Sequence, residues 1–295
     1  MYNCVMRILL KIFFLQNLLL ITAVLFGQNK IHKCGTVFPF GLEQKRASVQ
    51  VPLPTDQCAQ INKVNKTFQI SMHIAVNSLG IQNVDQAEID DAMEKLNNDF
   101  RPCGFQFQVC TSQIMEDDRF DSLTVTTAYN EEVQMTSIYY EPNTINVYLV
   151  DTLQTDEGAV QGYAYFPGGI DIIVIDKFNM NDFSDVFSHE MGHFFGLYHT
   201  FETEFGNELA DGTNCETTGD LVCDTNADPD ENGNAIDEDL CNYSGPITQD
   251  SNGDWYVPPT DNFMSYYQHE CTCRFTTGQY NRMVDQYLTL RNYLW

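Results

Sequence analysis

Apolar residues recur along this chain with two different spacings, one typical of strands and the other of helices. Five short apolar stretches bounded by turn residues predict β-strands, at residues 68–76, 105–110, 145–150, 162–166 and 171–175. Three longer stretches, in which apolar residues lie three and four positions apart, predict helices at residues 85–100, 182–197 and from 277 onwards. The succession of strand and helix predicts a layered α/β or α+β fold.

The ends of these helices are marked in the sequence. Asp85 and Glu88 have the spacing of a capping box before the first helix. Thr276 and Gln279 repeat that spacing before the last helix. Gly196 can end the second helix, because glycine readily adopts the left-handed conformation found there.

The N-terminal part predicts processing segments. Residues 1–27 carry two charges, both basic, and an apolar run whose unbroken pieces are shorter than the about 20 residues that a spanning helix needs. We therefore predict a signal peptide, with an uncleaved membrane anchor as the alternative. Residues 28–66 show little periodicity and predict a propeptide or linker. The folded domain would then be residues 67–295.

Charge and cysteine content narrow the class of protein. The net charge of −26 repels nucleic acid and anionic membranes, and it favours bound cations or basic partners. Residues 202–262 are rich in Asp, Asn, Gly and Pro, so we expect loops held by something other than a core. Ten cysteines, nine of them outside the predicted signal peptide, predict disulfides and at least one thiol outside the intramolecular set.

The candidate chemistry is concentrated in the segment HEMGHFFGLYH. Positions i and i+4 share a helix face, so His189 and His193 can direct their imidazoles at one metal ion. Gly196 lets the backbone leave the helix, which brings His199 within reach as a third ligand. Three protein ligands with an open fourth position are typical of catalytic zinc. Glu190 can then act as general base on a zinc-bound water, which predicts peptide hydrolysis. The alternative is an ordinary amphipathic helix.

The same segment carries a family resemblance. HExxHxxGxxH followed by a methionine turn is similar to the metzincin signature, and the turn would be NFMSY at residues 262–266. Thr200 and Phe201, together with CxxxFTxGQxxRM at residues 271–283, resemble the pappalysin (cytophagalysin-like) branch. The resemblance covers about residues 68–292 and is densest over residues 159–283.

The resemblance implies an α+β, metzincin-like fold. An upper subdomain, residues 67–199, would contain a mixed five-stranded sheet and the active-site helix. A lower subdomain, residues 200–295, would be irregular and end in a helix. The implied site residues are zinc ligands His189, His193 and His199, general base Glu190, Met264 beneath the metal, Tyr266 as oxyanion stabiliser, and Gly162, Tyr163 and Ala164 as the edge strand that pairs with substrate.

Three further residues carry finer implications of the resemblance. Glu270 matches an acid in the pocket for the residue after the cut bond, so we expect Arg or Lys there, with a solvated loop acid as the alternative. Cys34, in KCGT, is similar to a propeptide cysteine whose thiolate fills the fourth zinc position of a zymogen. A disulfide between Cys34 and Cys58 is the alternative. Ser265 departs from the Asp usual at its position.

Acidic side chains after the third histidine predict calcium. Alternating oxygen ligands and a glycine in DPDENGNAIDED resemble a calcium loop, and the segment GDLVCDT is similar to a family segment associated with calcium. The candidates are Asp220, Asp224, Asp228, Asp230, Asn232 and Asp239. The alternative is a solvated acidic loop.

The remaining cysteines and histidines receive simpler interpretations. Cys103 and Cys110 could close a hairpin at residues 104–109. The family resemblance suggests a bridge from Cys215 to Cys241 and another that involves Cys271, although spacing does not fix the connectivity. We expect His73 to be a core strand residue and His32 and His269 to be surface groups.

We therefore expect a secreted, extracellular zinc endopeptidase, made as a zymogen, that acts on protein or peptide substrates and contains structural calcium. We expect no nucleic-acid partner and no membrane span in the mature form, and the sequence leaves the oligomeric state open. The alternatives are a calcium-dependent extracellular binding protein with a non-catalytic zinc site, and a zinc hydrolase of non-peptide amides. The methionine turn disfavours the hydrolase of non-peptide amides. Glu190 distinguishes the endopeptidase from the binding protein, because only hydrolysis requires this carboxylate.

Overall fold

The computed structural model describes residues 60–229, 236–237, 240–245 and 248–295. The predicted signal peptide, nearly all of the predicted propeptide with Cys34, and the calcium candidates Asp230, Asn232 and Asp239 lie outside the described residues. Within the described part of the chain, no helix has both the length and the apolar character needed to cross a membrane.

Most of the strands precede the HExxH helix. The strands, in chain order, are β1 (Lys66–Ala75), β2 (Phe105–Met115), β3 (Ser122–Val125), β4 (Ile145–Val150), β5 (Thr152–Thr155), β6 (Gly158–Ala159), β7 (Gly162–Ala164), β8 (Ile172–Asp176), β9 (Ile236–Asp237) and β10 (Asn242–Tyr243). The α-helices are α1 (Gln86–Phe100), α2 (Glu132–Tyr139), α3 (Val186–Phe194) and α4 (Thr277–Gln286), and a π-helical turn, Tyr287–Arg291, follows the last.

The central sheet has five strands in the order β2-β1-β4-β8-β7. The first four are parallel to their neighbours, and β7 runs antiparallel to β8 at one edge. The α+β fold with a mixed five-stranded sheet is therefore confirmed. Among the described residues, β3, β5 and β6 form a separate small sheet and β9 and β10 a short hairpin.

Both faces of the central sheet are buried, so its inner strands are apolar on both sides. Alternate residues of β4 enter different clusters: Val147 and Leu149 pack with α1, α3 and α4, whereas Tyr148 and Val150 pack with α2 and the small sheet. This alternation follows from the two-residue period of a strand. The sheet therefore separates a core that contains the HExxH helix from a second core behind it.

Both predicted capping boxes are present. The Glu88 backbone N–H donates to Asp85 at 2.9 Å and the Asp85 N–H to Glu88 at 2.8 Å. At α4 the Gln279 N–H donates to Thr276 Oγ1 at 3.1 Å and the Thr276 N–H to Gln279 Oε1 at 2.9 Å. Each pair satisfies two N–H groups that a helix start leaves without intrahelical partners.

The second predicted helix starts later than the apolar pattern indicates. The prediction begins at residue 182, but α3 begins at Val186. Asn181 Oδ1 accepts from the N–H groups of Phe183 and Ser184 at 2.9 and 3.1 Å. This side chain therefore gives the backbone an alternative to helical hydrogen bonds, and the segment before α3 forms a turn.

Two cysteine predictions are wrong. Cys103 and Cys110 are free thiols, because β2 runs straight through residues 105–115. Six strand residues at about 3.3 Å each separate the two cysteines far beyond the 4.4–6.8 Å Cα spacing of a disulfide. Cys215 pairs with Cys223 rather than with Cys241.

The remaining disulfides lie after the HExxH helix. Gly219 and Leu221 adopt positive φ angles of 59° and 62°, so the chain folds back and brings Cys223 to Cys215. The bridge that involves Cys271 is confirmed, and its partner is Cys241. Cys273 is also disulfide-bonded.

Candidate active site

Helix α3 carries the first two histidines and ends as the sequence predicts. The Gly196 N–H donates to the His193 carbonyl at 2.8 Å and the Leu197 N–H to the Gly192 carbonyl at 3.0 Å. With a φ of +90° at Gly196, this is a Schellman cap. A side chain at position 196 would also collide with Gln286, whose Cγ would lie 2.7 Å from the added Cβ. The cap turns the chain back towards α3, and His199 follows it.

The three histidines converge on one point. Their Nε2 atoms are 3.1 Å apart between His189 and His193, 3.2 Å between His189 and His199, and 3.0 Å between His193 and His199. Among the described residues this triad is the group of His, Cys, Asp and Glu side chains whose ligand atoms come together as a metal site requires.

The second nitrogen of two of these rings is fixed by the backbone. Nδ1 of His189 is 2.6 Å from the Phe263 carbonyl and Nδ1 of His193 is 2.7 Å from the Leu197 carbonyl. A carbonyl only accepts, so each Nδ1 carries the proton and each Nε2 presents a lone pair. Burial and the neighbouring His193 lower the pKa of His189 to about 3, which keeps that ring neutral.

These observations fit a zinc ion. Nitrogen ligands at about 2.0–2.1 Å from a tetrahedral zinc lie about 3.3–3.4 Å from each other, close to the separations found here. Three imidazole nitrogens this close together favour a cation between them. The donor set, three imidazoles without a cysteine, is that of a catalytic rather than a structural zinc site.

Glu190 lies between α3 and the edge strand β7. It is fully buried, and a Cβ on Gly162 would be 3.0 Å from its Cγ and 3.1 Å from its Oε1. Only glycine therefore lets the strand lie this close to the carboxylate. The contact brings two predicted site residues together, the general base and the first residue of the substrate edge strand.

The methionine turn lies beneath α3. A Cβ on Gly192 would meet Met264 Sδ at 2.5 Å, and the Thr200 N–H donates to the Met264 carbonyl at 3.1 Å. Ser265, which departs from the family pattern, is buried and donates to the Asn262 carbonyl at 2.7 Å. The Ser265 hydroxyl therefore finds its hydrogen-bond partner within the turn itself.

Tyr266 lies beside the third histidine. Its ring centroid is 4.8 Å from that of His199 and 4.7 Å from that of Phe201. Phe201 in turn stacks on His199, with centroids 4.7 Å apart and an angle of 8° between the planes. Phe201, which the sequence marks only as part of the family resemblance, thus forms a wall of the site.

The edge strand β7 directs alternate backbone groups in opposite directions. The Gln161 carbonyl accepts from Asp176, and the Tyr165 N–H donates to Ile172, so both residues pair towards β8. By the alternation of an antiparallel ladder, Gly162 and Ala164 direct their N–H and C=O groups to the outer side of the sheet. Of the three predicted edge residues, these two have the orientation for pairing with a peptide.

The residues before Cys271 differ from the prediction in one respect. His269 was expected on the surface, but it is partly buried and forms an ion pair with Asp185, the N-cap residue of α3. Burial alone would lower the pKa of His269, but the charge of Asp185 and the hydrogen bond to it raise it. Thr272 also donates to Asp185. Sequence gives no signal for this contact across 84 residues. Glu270 is exposed in this structure.

Two of the described calcium candidates, Asp224 and Asp228, accept hydrogen bonds from distant segments of the chain. Asp224 accepts from Thr276 Oγ1 at 2.7 Å and from the Gly278 N–H at 2.8 Å, at the start of α4. Asp228 accepts from Thr200 Oγ1 at 2.9 Å and from Tyr267 at 3.0 Å. Both carboxylates thus tie the acidic segment to the rest of the molecule.

Asp220 is different, because it is almost fully buried beside a second carboxyl. Its Oδ1 accepts from the Val222 N–H at 2.9 Å, while its Oδ2 accepts no hydrogen bond of good geometry from the described residues. Burial raises the pKa of Asp220 to about 7. Burial and the charge of Asp220 raise the pKa of Glu208 to about 8. Sequence reasoning missed Glu208.

A mixed five-stranded sheet, an HExxH helix and a methionine turn beneath it define a metzincin-like zinc metalloendopeptidase. The family model for peptidase M43, pregnancy-associated plasma protein-A, matches residues 128–288. The chain belongs to this family, and the predicted pappalysin resemblance is confirmed. The alternative of a non-enzymatic binding protein is not supported.

Curated relatives agree with this assignment, and a solved structure has a similar fold. The chain is 26% identical over 247 residues to an extracellular metalloprotease of Pyricularia oryzae, covering 76% of each chain. It is 27% identical over 244 residues to one of Colletotrichum graminicola, covering 76% of this chain and 78% of the relative. The fold is similar to mature mirolysin of Tannerella forsythia in complex with a cleaved peptide, with a TM-score of 0.54, 18% identity and coverage of 79% of this chain and 96% of that one.

Proposed function

We propose that this chain is a secreted zinc endopeptidase in which His189, His193 and His199 hold the metal and Glu190 is the general base. The convergence of the three Nε2 atoms, with two Nδ1 protons held by backbone carbonyls, carries the proposal. Zinc, when bound, supplies a Lewis acid that polarises the scissile carbonyl and acidifies water.

Glu190 has the position that a general base requires. It adjoins His189 in sequence and contacts Gly162 on the strand where the substrate backbone would lie. We propose that its carboxylate takes a proton from the attacking water and passes it to the leaving amine. Tyr266, beside His199, is the proposed donor to the oxyanion.

The substrate would bind as an added strand. Gly162 and Ala164 direct backbone groups outwards from β7, and pairing of this kind gives affinity that does not depend on side chains. The proposed division at His199, with residues 67–199 above and 200–295 below, puts the cleft between β7 and the methionine turn.

The experiment that tests this function compares the parent chain with Glu190→Ala on a protein substrate, with and without a chelator. We expect hydrolysis by the parent, loss of hydrolysis with the chelator, and an inactive Glu190→Ala protein that still contains zinc. Hydrolysis by Glu190→Ala at the parent rate would contradict the proposal.

We propose that Glu270 favours Arg or Lys after the cut bond. Support comes from its attachment to a fixed segment: His269, its neighbour, is paired with Asp185, and Cys271 is bridged to Cys241. A substrate side chain would have to bury the exposed carboxylate for it to discriminate. A peptide library cut without basic preference, or an unchanged preference in Glu270→Gln, would contradict this.

We propose a calcium ion in the acidic segment, bound in part by Asp220 and Glu208. Two adjacent buried carboxyls repel each other, and a hard cation relieves that repulsion. Calcium removal with zinc retained should lower the Tm of the parent, and Asp220→Asn should abolish the calcium dependence. An unchanged Tm would contradict the proposal.

Secretion and latency complete the proposed function. The relatives named above are extracellular metalloproteases, which supports export through the N-terminal segment. We propose that Cys34 keeps the precursor inactive by ligating the metal. A Cys34→Ala precursor should be more active than the original, and equal activity would give latency another cause.

A further inference from the structure

The two faces of β7 contact different parts of the molecule. Gly162 and Ala164 face α3, where Gly162 touches Glu190 and Ala164 belongs to the same core as Met191 and Met264. Tyr163 and the following Tyr165 face the opposite side. A displacement of this strand would therefore shift the outward backbone groups, with which a substrate would pair.

The tyrosines on the far side share one acceptor. The hydroxyl of Tyr163 donates to Glu132 Oε2 at 2.5 Å, and that of Tyr165 donates to Glu132 Oε1 at 2.8 Å. Glu132 is the first residue of α2, and it is 5% exposed. Each carboxylate oxygen thus binds one tyrosine, and the two bonds bracket Ala164.

The pKa shifts of Glu132, Tyr163 and Tyr165 are compatible with these two hydrogen bonds. Burial raises the pKa of Tyr163 and of Tyr165, so both hydroxyls remain donors at any physiological pH. Burial also raises the pKa of Glu132, while the two tyrosine hydrogen bonds oppose that rise. Among the described residues no Lys, Arg or His forms an ion pair with Glu132, so the tyrosines are its direct stabilising contacts.

The ladder that joins β7 to the sheet is short. β7 pairs with β8 from Gly162 opposite Ile175 to Ala164 opposite Ile173. One backbone bond extends the ladder at each end, at Gln161 and Tyr165, and Arg291 also donates to the Tyr165 carbonyl. The outer side of β7 is where a substrate would add. A short edge strand held by so few ladder bonds needs side-chain anchors to keep its position.

We propose that Glu132 is a positioning residue. Through Tyr163 and Tyr165 it holds β7 in the register that a substrate needs, from the face of the sheet opposite α3. It touches neither the metal site nor the substrate. The inference rests on the proposed role of β7 in substrate binding. It makes α2, which lies outside the HExxH and methionine-turn motifs, part of the binding apparatus.

The test uses two probes that report on different parts of the site. Acetohydroxamate binds the zinc centre alone, whereas a tripeptide hydroxamate also extends along β7. In Glu132→Ala we expect the Kd of the tripeptide hydroxamate to rise about tenfold, the effect of about one lost hydrogen bond. The Kd of acetohydroxamate and the zinc content should not change. For peptide hydrolysis, KM should rise about tenfold with kcat within about twofold, because the lost contact acts on binding alone.

Three further variants separate positioning from folding. Tyr165→Phe removes one hydroxyl and should weaken the tripeptide hydroxamate about threefold. Glu132→Gln keeps the shape of the side chain, and it should restore most of the affinity if Glu132→Ala folds poorly. The matched control is Tyr148→Phe, which removes a hydroxyl that is buried in the same cluster but accepts or donates no hydrogen bond among the described residues. It should leave both Kd values unchanged.

The outcomes are distinguishable. Equal weakening of both hydroxamates in Glu132→Ala, or no weakening of either, would overturn the positioning role while leaving the proposed function intact. Failure of the parent chain to bind acetohydroxamate would overturn the proposed function and this inference with it.

Discussion

The chain is held together differently on the two sides of His199. Before it, α1, α3 and the central sheet share a hydrophobic cluster in which Phe68, Leu96 and Phe194 are fully buried. After it, the described residues of 200–275 contain only short strands. Phe263, Met264 and Phe275 reach the same cluster, and the other connections are made largely by carboxylates and disulfides.

The proposed catalytic site draws on both kinds of stabilisation. His189, Glu190 and His193 come from the packed side, Met264 and Tyr266 come from the cross-linked side, and His199 lies at the boundary. The positions of the three histidines therefore depend on a polar framework as much as on a core, so damage to either side should weaken zinc binding.

The largest loss of stability is expected from a substitution in the core of the packed side. Phe68 is fully buried, with its ring about 5 Å from those of Phe105, Phe195 and Tyr287. Phe68→Ala should lower the free energy of unfolding by about 3–5 kcal/mol, measured by urea denaturation. Leu79→Ala, at an exposed position, is the control and should change it by less than about 0.5 kcal/mol. A small effect at Phe68 would contradict a core-dominated upper part.

The disulfide on the other side should come next. The Cys241–Cys271 bridge closes a loop with a sequence separation of 30, so its replacement by two serines should cost about 3–4 kcal/mol. The matched control is Cys110→Ser, because Cys110 is an exposed free thiol in β2. If the double serine variant unfolded with the parent's midpoint, the disulfide would not be holding the lower part together.

A smaller effect is expected from Asp228. Its carboxylate joins Thr200, the neighbour of His199, to Tyr267 beyond the methionine turn. Asp228→Asn keeps the shape but loses charge-assisted acceptance, so kcat/KM should fall about tenfold, equivalent to about 1.4 kcal/mol. Asp254→Asn, an exposed control, should leave kcat/KM unchanged. Equal kcat/KM values in the two variants would show that Asp228 does not support the active site.

The smallest effect concerns pH. Asp220 and Glu208 have folded-state pKa values raised to about 7 and about 8, so their protonated forms favour folding. That contribution is complete below the unfolded pKa of about 4 and is lost as pH rises through about 7–8. With calcium chelated, the Tm should therefore fall by a few degrees, roughly, between pH 5 and pH 8. Asp220→Asn should flatten this slope, and an unchanged slope would show that other groups set it.

Sequence predicted the packed side better than the cross-linked side. The five strands, the capping box before α1 and the glycine after α3 are local patterns, and each is present. The small sheet was missed, because strands of two to four residues leave no measurable periodicity. α2 was missed because it buries only Glu132 and Met135 and so lacks an apolar stripe.

Long-range polar contacts could not be predicted from the sequence. The pairing of His269 with Asp185 spans 84 residues, and the true partner of Cys215 depends on a turn with two positive φ angles. Neither has a periodic signal. The histidine triad was accessible because helical spacing and a glycine stop determine where three nearby rings lie.

The zinc content of three purified proteins tests the central claim most directly. The parent chain and Glu190→Ala should each bind one zinc per molecule, and His199→Ala should lose most of it, because a third imidazole, at the boundary of the two sides, completes the site. Full zinc occupancy in His199→Ala, or none in the parent chain, would contradict the account.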